Sequence, residues 1–349
     1  MRATMIHGTR DVRLEAVADP RVLRPTDALV RVSASCVCGS DLWPYRGINP
    51  VESPRPIGHE FVGIVEEVGA DVRTVRPGQF VIAPFVYSCG ECAHCRYGVH
   101  TSCVRGGRGW GGPDGDGEPT PACQGEMVRV PYADGTLVPT PEVPGEGQLA
   151  SMLALSDVMG TGWHCAVSAG VQEGETVVVV GDGAVGLSAV LSAARLGAGR
   201  VIAMSRHETR QAVAREFGAT DVVAERGEEG AERVLELTDG VGADRVLECV
   251  GTGDSMTQAF ACARPGGSVG FVGVPHGVEV PVSDMFRRNV RLAGGVAPVR
   301  RYLPRLRDEV LAGEIDPGRV FDLTLPLAEV AEAYAAMDER RAIKVMLRP

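Results

Sequence analysis

The run Thr176-Val177-Val178-Val179-Val180-Gly181-Asp182-Gly183-Ala184-Val185-Gly186 decides the fold of the C-terminal half of this chain. Five successive β-branched residues make a strand buried on both faces, and the glycine spacing that follows turns it into a helix over 184–196. In that strand-to-helix setting a G-x-G-x-x-G lets the backbone approach a pyrophosphate at a helix N-terminus, where free amides and the helix dipole favour an anion. Gly181, Gly183, Ala184, Val185 and Gly186 are thus the candidate dinucleotide contacts. A glycine-rich turn that holds no ligand is the alternative.

Outward from this run, Val201 to Met204, Asp221 to Val223, Arg245 to Val250, Ser268 to Val272 and Val290 to Leu292 read as further strands. Helical stretches such as Glu208 to Phe217 separate most of them, so the fold class is α/β, a doubly wound parallel sheet of the Rossmann type. The second strand ends in Met204-Ser205-Arg206-His207. A carboxylate at that point binds the ribose diol of NAD and repels a 2'-phosphate; Ser205 and Arg206 would hold one, so NADP is expected, with NAD as the alternative if Arg206 is only a solvated loop residue.

Residues 1 to about 155 read differently. Short alternating segments, Ala28 to Ser33, Phe61 to Val68 and Phe80 to Ala83, are punctuated by Gly and Pro, which points to an irregular β-barrel. Near the other end, Tyr302 to Ala312 and Leu327 to Met337 look like amphipathic helices and Ile343 to Leu347 like a closing strand. Gly106 to Gly117, with seven glycines, is expected to be a mobile loop. Asp114, Asp116 and Glu118 in and beside it imitate a calcium loop, but Pro119 stands where such a loop needs glycine.

The totals exclude several functions. With 35 basic and 45 acidic residues the chain carries a formal charge of -10, which repels nucleic acid and anionic lipid alike. The N-terminus lacks the apolar core of a signal peptide and no run suits a membrane span, so a cytoplasmic protein is expected. Lys344 is the only lysine, which leaves no phosphate loop of the ATPase type.

In a reducing compartment clustered cysteines suggest metal rather than disulfides. Cys89, Cys92, Cys95 and Cys103 stand in a C-x2-C-x2-C-x7-C pattern within a polar loop that offers no core to fill, and four thiolates so spaced make a closed, structural zinc site. His94 and His100 are surplus to it. Farther upstream, Cys38-Gly39-Ser40-Asp41 and Gly58-His59-Glu60 bring together a thiolate, an imidazole and a carboxylate, the ligand types of a catalytic zinc. Cys38 could equally be a small core residue, His59 a structural hydrogen-bonding group and Asp157 a helix N-cap before Val158 to Ser168.

These motifs together resemble the zinc-dependent medium-chain alcohol dehydrogenases. The resemblance rests on the Cys38 segment, on Gly58-His59-Glu60 with Gly63, Gly69 and Val72, on the four-cysteine lobe and on the glycine fingerprint. It implies a GroES-like barrel built from residues 1–156 and 299–349, a Rossmann domain over 157–298, and an active site where the two meet. It implies Asp157 as third ligand of the catalytic zinc beside Cys38 and His59, with Glu60 an occasional ligand, hence two zincs per chain. The surroundings of Asp157, together with Ser205 and Arg206, look like the NADP-dependent bacterial secondary alcohol dehydrogenases, a branch that lacks the cysteine lobe. By the same resemblance Trp43 and Trp110 line an apolar substrate pocket, Ser40 relays the proton and Lys344 reaches the cofactor's pyrophosphate, unless it is a solvated strand end. Where many relatives have a relaying histidine this chain has Trp43. The expected reaction is hydride transfer between NADP(H) and an alcohol, ketone or aldehyde. A polyol, sugar or amino-alcohol dehydrogenase, a non-catalytic NADPH-binding protein and a zinc-free quinone reductase are the alternatives. A homodimer or homotetramer is expected, paired through the outer strand near Val290 to Leu292.

Overall fold

The computed structural model describes residues 1–107 and 109–349. It divides into two compact units, Met1–Asp157 with Pro298–Pro349, and Val158–Ala297.

The second unit is a six-stranded parallel sheet. Its order is Asp221–Val223, Arg200–Met204, Thr176–Val180, Ala243–Glu248, Ala263–Phe271, Arg291–Gly294, which in sequence terms is 3-2-1-4-5-6 and thus the doubly wound order. Thr176–Val180 lies at the reversal point, its four valines buried as a central parallel strand requires. Register is continuous from Thr176↔Arg200 to Val180↔Met204 on one side, and Val180 pairs with Glu248 on the other. The helix Ala184–Arg195 follows the glycine loop directly. One strand stops two residues before its expected end: the Glu248 carboxylate accepts from the amides of Val250 and Gly251, both at 2.8 Å, and curls the chain out of the sheet.

In the first unit a seven-stranded sheet contains Ala28–Cys36, Phe61–Val68, Phe80–Ala83 and the closing strand Lys344–Arg348; a three-stranded sheet is built on Arg2–Gly8. Pairing of Met346 with Cys36, and the bond from the Val37 amide to the Val345 carbonyl at 3.1 Å, bring the last residues beside the Cys38 segment. The helix Val330–Asp338 buries Ala333, Tyr334 and Met337 in a cluster with Val12, Leu42 and Tyr45. Among the described residues no helix is long and apolar enough to cross a membrane.

In the stretch Gly106 to Gly117, of which Arg108 lies outside the described residues, Asp114 and Trp110 are anchored. The Asp114 side chain is fully buried and receives Arg129 at 2.9 Å and Arg24 at 2.8 Å, while Arg129 also reaches Asp27 at 2.7 Å. Trp110 packs edge-on against Phe61 and Tyr87 in the sheet core. The calcium-like spacing serves an ion-pair network instead, with Asp114 and Asp116 both engaged by arginine.

Candidate functional site

Three segments of the first unit converge on one point. Cys38 precedes the short helical turn Gly39–Asp41, His59 and Glu60 precede the strand Phe61–Val68, and Asp157 follows the helix Glu146–Ala154. One ligand atom from each of Cys38, His59, Glu60 and Asp157 lies within 4.8 Å of all the others. Cys38 Sγ is 3.7 Å and His59 Nε2 3.5 Å from Asp157 Oδ2, and His59 Nε2 is 3.9 Å from Glu60 Oε1. The close turn at Gly58 requires glycine: φ is +103°, and a Cβ would stand 2.5 Å from Gln124 Cγ.

The electrostatics fit a cation. Burial would lower the His59 pKa, yet the charges of Asp41 and Cys38 and hydrogen bonds to Asp157 and Asp41 raise it well above its ordinary value. The same negative surroundings that favour a proton there favour a cation. Among the described residues Glu60 Oε2 is buried with no hydrogen-bond partner, and burial raises both the Glu60 carboxyl and the Cys38 thiol, a cost that a metal would offset.

Behind these groups stands a second layer that the sequence did not disclose. Asp41 Oδ1 lies 3.3 Å from His59 Nδ1, and its Oδ2 accepts from the Cys38 amide at 3.0 Å, so one carboxylate orients two of the converging residues. Gln124 donates to Asp41 Oδ2 at 3.3 Å and to the Cys36 carbonyl at 3.1 Å, and the buried Tyr334 hydroxyl donates to Gln124 Oε1 at 3.1 Å. Lys344 requires a correction. Its Nζ is 2.7 Å from Glu60 Oε1 and 3.3 Å from the Val37 carbonyl, and its side chain is 1% exposed, so it is neither a solvated strand end nor free to reach a pyrophosphate. Strand pairing beside Cys36 carries it into the protein.

A cavity of about 410 Å³ opens beside His59, lined in part by Ser40, Asp41, Ile57, Phe85 and Trp110. Trp110 presents little surface to it, being 8% exposed with its Nε1 donating to the Pro84 carbonyl at 3.3 Å. Trp43 is half-buried and stands outside that lining, so the two indoles do not share one wall.

The four cysteines of the lobe also come together, again with one sulfur each within 4.8 Å. Cys92 and Cys95 sulfurs are 3.5 Å apart, those of Cys89 and Cys103 3.4 Å. Hydrogen bonds from the Cys95 and Val104 amides pull the Cys92 thiol down to about 6, whereas burial pushes the Cys89 and Cys95 thiols up. His94 bonds the Ser102 carbonyl instead, at 2.5 Å.

In the second unit, Gly183 caps the helix Ala184–Arg195, and a Cβ at Gly186 would sit 2.0 Å from the Gly181 carbonyl oxygen, so the turn admits glycine alone there. Ser205 is buried and Arg206 exposed at the end of the second strand. A carboxylate does reach this corner, from the glycine loop. Asp182 Oδ2 accepts from Ser205 Oγ at 2.9 Å and Oδ1 from Arg210 Nη1 at 3.1 Å. Reading only the strand end missed it, since the loop and the strand meet through sheet pairing.

Known proteins resemble this chain along its whole length. Residues 24–142 match the alcohol dehydrogenase GroES-like domain and residues 184–310 the zinc-binding dehydrogenase family. The probable zinc-binding alcohol dehydrogenase of Mycobacterium tuberculosis is 37% identical over 354 residues, covering 100% of this chain and 89% of its own. Among solved structures, the alcohol dehydrogenase TADH of Thermus sp. ATN1 superposes with a TM-score of 0.91 at 33% identity, covering 100% of this chain and 99% of its own. A putative zinc-binding dehydrogenase of Sinorhizobium meliloti, solved bound to NADP, does so at 0.83 and 27%, with the same coverage of 100% and 99%.

Proposed function

The chain belongs to the zinc-dependent medium-chain alcohol dehydrogenases, and from that premise we propose that it interconverts an alcohol with its ketone or aldehyde using NADP(H), through a catalytic zinc held by Cys38, His59 and Asp157. Glu60 is an occasional fourth ligand, and Cys89, Cys92, Cys95 and Cys103 hold a second, structural zinc. The convergence of sulfur, nitrogen and oxygen donors from three separate segments within 4.8 Å carries this reading.

A zinc ion so held supplies Lewis acidity toward the substrate oxygen, while the hydride chemistry belongs to the nicotinamide. The chain's own groups do the rest. Asp41 fixes the ring orientation of His59, so that Nε2 points at the shared locus. Lys344 pairs with Glu60 Oε1 and so opposes the burial that raises this carboxyl, which leaves Oε2 as the atom without a hydrogen-bond partner. Ser40 Oγ, on the cavity wall, takes the alcohol proton and passes it to solvent, since position 43 holds tryptophan and offers no base. Phe85 and Ile57 give the cavity an apolar side that suits a secondary alcohol, ketone or bulky aldehyde better than a polyol.

Ser205, Arg206 and Arg210 at the second strand end favour NADP over NAD, and the NADP-bound relative is consistent with that. The outer strand Arg291–Gly294, with Phe286 and Val296 exposed near it, is the pairing edge of a homodimer or homotetramer. Metal analysis is expected to find two zincs per chain, and a panel of alcohols and ketones with each cofactor to show turnover that Cys38→Ser abolishes. A Cys38→Ser protein with full turnover would refute the mechanism.

A further inference from the structure

The adenosine end of the second unit contains a charge arrangement that the expected NADP contacts do not include. Asp182 is the residue between the first two glycines of the fingerprint, and it is 8% exposed. Both of its carboxylate oxygens are occupied: Oδ2 by the Ser205 hydroxyl at 2.9 Å, Oδ1 by the Arg210 guanidinium at 3.1 Å. Arg210 also lies 3.4 Å from the Asp182 carbonyl, and Gln211 holds the Ser205 carbonyl at 2.9 Å.

Sheet order places these groups in one corner. The strands that lead into Gly181, Ser205 and Ala224 are neighbours, the Ser205 amide bonds the Val223 carbonyl at 2.9 Å, and Arg226 caps the helix Gly227–Leu237 just beyond. Arg206 is exposed beside Ser205. Arg210 and Arg226 thus both act on one carboxylate, which Arg210 and Ser205 already satisfy.

Hydrogen-bond direction then matters. While Ser205 Oγ donates to Asp182 it can only accept from a ligand, and an accepting oxygen suits the 2'-hydroxyl of NAD rather than a 2'-phosphate, which has nothing to donate when fully ionised. Arg210 spends its Nη1 on Asp182, at 3.1 Å from Oδ1 and 3.4 Å from the carbonyl. A 2'-phosphate, carrying nearly two negative charges, must draw the Ser205 hydroxyl away from Asp182, share Arg210 with it and sit near that carboxylate.

We propose that Asp182 is a specificity-determining residue that competes with the cofactor's 2'-phosphate for Ser205 and Arg210, and so limits the preference for NADP that the neighbouring arginines create. This rests on the dinucleotide-dependent reading above. The carboxylate is the brake, and Arg210 sets how strongly it acts by neutralising it.

The test is equilibrium binding of NADPH and NADH to the zinc-loaded protein, followed by reduced-nicotinamide fluorescence, with kcat/KM for both cofactors alongside. Asp182→Asn keeps the shape and a hydrogen bond while removing the charge. It is expected to tighten NADPH by roughly tenfold and leave NADH unchanged or weaker, so that selectivity for NADPH rises. Asp182→Ser, which removes the charge with a smaller side chain, is expected to move selectivity in the same direction and provides the answer if Asp182→Asn fails to fold. Selectivity that stays within twofold in either folded variant, or NADPH weakened by Asp182→Asn, would overturn the proposal while the dehydrogenase reading stood. Wild-type protein that bound neither dinucleotide would overturn both.

Discussion

Replacing Lys344 with methionine tests whether the layer behind the converging ligands is held electrostatically. The substitution keeps an unbranched side chain of similar length and deletes the ammonium that lies 2.7 Å from Glu60 Oε1 and 3.3 Å from the Val37 carbonyl, with side-chain exposures of 1% for Lys344 and 0% for Glu60. Removing one partner of a buried pair leaves the other charge uncompensated, at a cost of about 3–5 kcal/mol. The lower end is expected here, because burial already pushes the Glu60 carboxyl above its ordinary value, so that the acid can escape the penalty by protonation. Without the lysine that shift grows. A folded-state pKa raised above the unfolded one gives stability present below the unfolded value and lost as pH rises through the folded value, so the variant's deficit should be larger at pH 8 than at pH 5. Urea unfolding at fixed zinc, which keeps the contribution of ligand binding constant, measures this as a fall of about 3 kcal/mol for Lys344→Met at pH 7. The double variant Glu60→Gln/Lys344→Met should recover most of the loss, since no charge remains to be buried. A single-variant loss below about 1 kcal/mol, or a double variant no more stable than the single one, would refute the reasoning.

Two further outcomes follow from the same kind of accounting. Burial pushes the Asp114 carboxyl up, but hydrogen bonds from Arg129, from the Asp116 and Glu118 amides and from Arg24 together hold it below its ordinary value; that stability is present above the unfolded pKa and is lost as pH falls below about 4. Asp114→Asn should therefore cost about 2–3 kcal/mol at neutral pH and flatten acid unfolding monitored by circular dichroism. Gly186→Ala, with its Cβ 2.0 Å from the Gly181 carbonyl oxygen, should open the turn, lower stability by about 1–3 kcal/mol and weaken dinucleotide binding at least ~tenfold in the fluorescence titration.

What the sequence alone determined was local. Strand, glycine turn and helix over residues 176–195 are dictated by backbone sterics and a run of β-branched residues, and all lie within one stretch of chain. The cysteine lobe was legible for the same reason, since four thiols in a short polar loop have no apolar core to enter and gather on one another instead. Cys38, His59 and Asp157 could be named only because the spacing of several motifs resembled a family; taken singly, each had an ordinary structural alternative.

Tertiary structure alone decided the partners. Lys344 meets Glu60 across 284 residues and Tyr334 meets Gln124 across 210, pairings set by strand register and helix packing that no local periodicity encodes. The same holds for Asp114, in a stretch whose glycine content suggested mobility, which the buried Arg129 and the half-buried Arg24 reach from other segments. Asp182 shows the distinction at close range. Its place in the fingerprint marks it as a loop residue, but parallel pairing of Val180 with Met204 is what brings its carboxylate to Ser205. Propensity and periodicity act between neighbours in sequence, whereas the charge surrounding a buried group is set by whatever the sheet happens to lay beside it.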